Sequence, residues 1–131
     1  MIRVSKWLAV VATATALTAC NTLAPIQNVS SVPVSNSSNK PMTAAEVRAA
    51  IVRAGAGLGW IMKDAGPGTI NGTLILRTHT AEVTIPYSPT SYSIVYKSST
   101  NLQESGGMIH RNYNGWIQNL NRGINAQLAA S

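Results

Sequence analysis

Residues 81–97 read AEVTIPYSPTSYSIVYK. Val83, Ile85 and Tyr87 recur at every second position, Ser88-Pro89-Thr90 interrupts, and Tyr92, Ile94 and Tyr96 resume the alternation. Successive side chains of a strand point to opposite faces, so each run gathers its apolar residues on one face. The break holds a proline between two small polar residues, which is turn chemistry. A connection this short implies antiparallel pairing, because parallel strands need a crossover of a dozen residues or more. Upstream, Thr69 to Thr78 reads as a longer strand, with Leu74 and Leu76 on one face and Thr73, Ile75 and Arg77 on the other. Trp60 to Lys63 reads as a short strand, separated from it by the turn residues of Asp64 to Gly68. The expectation is an antiparallel meander of three or four strands.

A helix is expected on each side. Thr43-Ala44-Ala45-Glu46 has the spacing of a capping box, and Val47, Ile51, Ala54 and Leu58 follow at helical intervals. Gly55, Gly57 and Gly59 weaken the second half, so this helix should end between Ala54 and Leu58. Gly55 to Gly59 is not a phosphate loop, since no strand precedes it and no Lys-Ser/Thr pair follows; close backbone packing or a helix exit explains it better. After a polar loop, Ser98 to Gly107, a second helix is predicted from Met108. Its stripe is Ile109, Tyr113, Trp116, Ile117, Leu120, Ile124 and Leu128. Two helical stripes and one apolar sheet face predict an α+β domain over residues 41–131, with both helices packed on one face of the sheet.

Residues 21–40 are rich in Ser, Asn, Pro and Val and show neither period, so they read as a flexible tether with an end-to-end distance of roughly 25 Å. Ahead of them, Arg3 and Lys6 precede an uncharged run from Trp7 to Ala19. That run is too short to span a membrane, which takes about 20 residues, and fits a secretory signal over residues 1–19. It closes on Leu17-Thr18-Ala19-Cys20, which contains the sole cysteine. This segment resembles the lipobox of bacterial prolipoproteins. The resemblance implies acylation of Cys20, cleavage before it, and a membrane partnership through the acyl chains. Asn21, where Asp is the usual inner-membrane retention signal of that family, implies the outer membrane, with the domain facing the periplasm. Around residues 109–124 the chain also resembles small uncharacterised proteobacterial lipoproteins.

Composition narrows the function. After residue 19, eight Lys and Arg stand against four acids, a net charge of +4 without a basic run. A nucleic-acid binder concentrates its charge in a patch, so nucleic acid is not an expected partner. With Cys20 acylated no thiol remains for a disulfide. Glu46, Asp64, Glu82 and Glu104 show no acid–base spacing. His79 and His110 lack the three or four ligands of a zinc site, so no metal or cofactor is expected. No serine lies in a Gly-x-Ser-x-Gly setting.

The most distinctive segment runs from Ile109 to Trp116. It combines His110, Arg111, Asn112, Tyr113 and Trp116, residue types that meet sugars and peptides by stacking and amide hydrogen bonds. The plainer alternative places Tyr113 and Trp116 in the core. The leading expectation is a non-enzymatic binding or accessory domain, with peptidoglycan or another envelope protein as partner. A small envelope hydrolase or hydrolase inhibitor using this helix start is one alternative. A subunit of an outer-membrane assembly, recruiting a partner through a sheet edge, is another.

Overall fold

The computed structural model describes residues 22–131. The lipobox, the signal and Asn21 lie outside the described residues. In chain order the elements are β1 (Leu23–Pro25), β2 (Val29–Pro33), α1 (Ala44–Gly57), β3 (Ile61–Asp64), β4 (Thr69–Leu76), β5 (His79–Pro86), β6 (Ser91–Thr100), β7 (Met108–His110) and α2 (Asn112–Ala129). The fold is α+β. One sheet has the order β2-β6-β5-β4-β3, and β1 and β7 form a separate antiparallel pair.

The alternation of β5 sets the layers. Ala81, Val83 and Ile85 are fully buried. Across from them on β4 stand Leu74, Gly72 and Ile70. Directly paired residues share a face, so one register defines one apolar surface. Tyr92 and Ile94 extend that surface onto β6. Gly72 fits between its neighbours: a Cβ there would come within 3.1 Å of both Val83 and Met62.

Both helices feed this same core. Thr43 accepts the Glu46 backbone N–H at 3.2 Å, and its hydroxyl donates to the Glu46 carboxylate at 3.1 Å. Behind that cap, α1 buries Val47, Ala50, Ile51 and Ala54, while α2 buries Tyr113, Ile117, Leu120, Ile124 and Leu128. These belong to one cluster with the buried strand residues. Of the glycines in and after α1, two have a structural reason. A Cβ at Gly55 would overlap the Met62 side chain on β3, and Gly59 takes φ +87° as the chain leaves the helix. Arg48 fixes the same joint with a forked pair to Asp64, at 2.7 and 2.9 Å. That hydrogen-bonded guanidinium holds the Asp64 carboxyl below its usual range.

Three expectations need correction. First, the described part of the expected 21–40 tether, residues 22–40, is not a loose tether: β1 pairs with β7 and β2 with β6. The strand in β2 is hidden by a bulge. Val29 lies opposite Ile94 and Val32 opposite Tyr92, so three residues on β2 span two on β6, with Ser31 at φ +49°. An inserted residue shifts the parity of the pattern, and the period of two disappears. Residues 22–33 therefore contribute strands to the same fold as residues 41–131. Second, Met108 to His110 is a strand, not the first turn of α2. Three residues are too few to show a period, and their partner lies in the segment read as tether. Third, the sheet has five strands rather than three or four, with β2 added beside β6.

Candidate functional site

The start of α2 is fastened to the N-terminal segment by main chain and side chain together. Thr22 accepts the Arg111 N–H at 2.8 Å, and Gly107 accepts that of Ile26 at 2.9 Å. Asn114 is buried and does two jobs. Its Oδ1 accepts the Gln27 N–H at 3.0 Å, and its Nδ2 donates to the Pro25 carbonyl at 2.9 Å. A carboxamide has one acceptor and one donor end, so a single side chain satisfies both backbone groups.

Between the two segments lies an open groove of about 540 Å³, lined by Gln27, Arg111, Asn112, Asn114, Trp116 and Gln118, among others. Arg111 supplies its one charge. Among the described residues, the Arg111 guanidinium enters no ion pair, and Arg111 and Asn112 are exposed. Trp116 is half-buried and shared: it also walls a smaller apolar cleft of about 80 Å³ with Leu58, Trp60, Leu74 and Leu76. Amides, one guanidinium and an indole can hold a polar surface by hydrogen bonding and stacking. None of the groups lining the groove is a nucleophile or a base at neutral pH.

The structure separates the five candidate residues. Arg111, Asn112 and Trp116 meet in the groove. His110 is half-buried on β7, where its Nδ1 accepts the Asn112 N–H at 3.2 Å. Tyr113 is fully buried and stacks edge-on against Tyr96 at 5.5 Å. Burial pushes the Tyr113 phenol upward, and its hydroxyl finds no hydrogen-bond partner among the described residues. The Tyr92 phenol, also raised by burial to about 12, instead lies 2.6 Å from Asn121 Oδ1 and 3.0 Å from Asn125 Oδ1. A buried polar group without a partner costs about 1–3 kcal/mol. Tyr113→Phe should therefore leave stability unchanged or raise it by about 1 kcal/mol, read as the urea midpoint.

Gln27 and Asn114 were not visible as site residues. Gln27 lay in the segment read as tether, and a buried Asn carries no sequence signal. Among the described residues no group of three or more His, Cys, Asp and Glu gathers, and no helix is long and apolar enough to cross a membrane. Comparison of the chain with protein-family models, curated proteins and solved structures finds no match.

Proposed function

We propose that this chain is a lipid-anchored envelope lipoprotein whose small α+β domain does binding or accessory work rather than catalysis, facing the periplasm from the outer membrane. The domain is read as two layers, with both helices over the apolar face of the sheet. The observation that supports the lipoprotein reading is a strand pairing close after Cys20. Among the described residues the pairing nearest to it is Leu23 with His110, three residues past Cys20. Cleavage before Cys20 would thus leave every described strand and helix intact. The groove supports binding, because its lining offers hydrogen-bonding amides, Arg111 and the Trp116 ring.

The test is Cys20→Ala. The wild-type chain should fractionate with membranes and carry acyl mass on its N-terminal peptide. The variant should accumulate as unprocessed precursor without that mass. A variant that is cleaved and partitions with membranes like the wild type would overturn the anchor.

A further inference from the structure

Two residues beyond Cys20 the chain is already fastened to the domain, by the hydrogen bond from the Arg111 N–H to the Thr22 carbonyl. An extended chain spans at most about 3.6 Å per residue, so Thr22 lies within about 7 Å of Cys20. The polar headgroup layer on each side of a bilayer is itself about 5–7 Å thick. On the anchor reading proposed above, on which this inference rests, the domain cannot clear that layer while Thr22 stays bound.

The residues gathered at this end suit it. Arg111 adjoins Thr22, and Trp116 follows about 7.5 Å along the axis of α2. Trp116 shares its cleft with Leu58 and Leu76, both 43% exposed. Arg77 succeeds Leu76 at the β4–β5 hairpin tip and takes φ +55°. Glycine adopts that conformation without strain and arginine does not. We propose that this end of the domain, formed by Leu58, Leu76, Arg77, Arg111 and Trp116, docks on the phospholipid headgroups of the membrane that holds Cys20. Indole and guanidinium groups settle at the headgroup level, and the two leucines reach the acyl boundary. Three of the four acids do not oppose this: Glu46 lies at the far end of α1, Asp64 is held by Arg48, and Glu82 sits 3.8 Å from Lys97. The fourth, Glu104, is exposed on the loop before β7, one negative charge against Arg77 and Arg111.

The experiment uses the acylated full chain in vesicles of phosphatidylethanolamine and phosphatidylglycerol. Flotation and acyl mass report the anchor. Quenching of tryptophan by lipids brominated near the headgroup reports docking, and Trp116→Phe assigns the signal to Trp116 rather than buried Trp60. The expected result is flotation with quenching. Each arginine near an anionic surface favours binding about fivefold, so the paired change Arg77→Glu and Arg111→Glu should cut quenching at least about fivefold while flotation and circular dichroism stay unchanged. A Gly/Ser spacer of about 20 residues between Cys20 and Asn21 should also weaken quenching, because the local concentration of headgroups falls. Flotation without quenching would overturn docking and leave the anchor standing. Absence of both acyl mass and flotation would overturn the anchor and docking together.

Discussion

A chain that begins at Pro41 should show no cooperative unfolding transition, whereas one that begins at Asn21 should unfold in a single sharp step in urea. The lost segment covers the open edge of β6 and packs Ile26, Val29, Val32 and Val34 against the core. Burying such a side chain fully is worth about 1.5–3 kcal/mol, and these four are partly buried, so their removal costs about 4–6 kcal/mol. The Asn114 carboxamide also loses both backbone partners, for about 1–3 kcal/mol more. Domains of this size are stable by about 5–15 kcal/mol, so the sum approaches the whole. Far-UV circular dichroism through a urea series decides the point. A sharp transition for the shorter chain would mean that residues 22–40 only decorate a fold complete without them.

Trp60→Ala is expected to destabilise the domain by about 3–5 kcal/mol, measured by the same urea series. Trp60 is 4% exposed, and its backbone N–H donates to the Gly55 carbonyl at 2.9 Å. Its ring lies beside Gly72, where a Cβ would come within 3.4 Å, and walls the apolar cleft with Leu74. Truncation to alanine leaves a void that the surrounding sheet and helices fill only in part. Trp116→Ala should cost less, because Trp116 is half-buried at the surface between groove and cleft. Equal losses at the two sites would place Trp116 in the core.

The comparison of these two tryptophans shows where sequence pattern is informative. β5 and β6 are legible because their alternation survives folding with one bulge, at Glu82–Val83. Helix α1 is legible because Thr43 and Glu46 cap it as their spacing implies. Trp116 sits on the α2 stripe by period, yet it is half-buried between groove and cleft while Tyr113, Ile117 and Leu120 around it are buried. Legibility fails where contacts are long in sequence. Gln27 and Asn114 are 87 positions apart, and neither has a period that points to the other. Val29 and Val32 fail for a local reason, since the bulge at Ser31 breaks the parity that marks a strand. Half of the candidate site was legible at Arg111, Asn112 and Trp116, because polar and aromatic types cluster there. Its other wall comes from the segment that looked structureless.

The pairing of β1 with β7 also sets an order of events. A chain delivered across a membrane from its N-terminus presents residues 22–27 first, whereas their partners at 107–114 arrive almost last. Such distant pairings form only after the intervening chain is in place. In a chain exported that way, strand β1 would wait unpaired through nearly the whole of the crossing. On the lipoprotein reading, Cys20 stays accessible to its acylating and cleaving enzymes during that interval, and closure of the fold then draws the finished anchor against the domain.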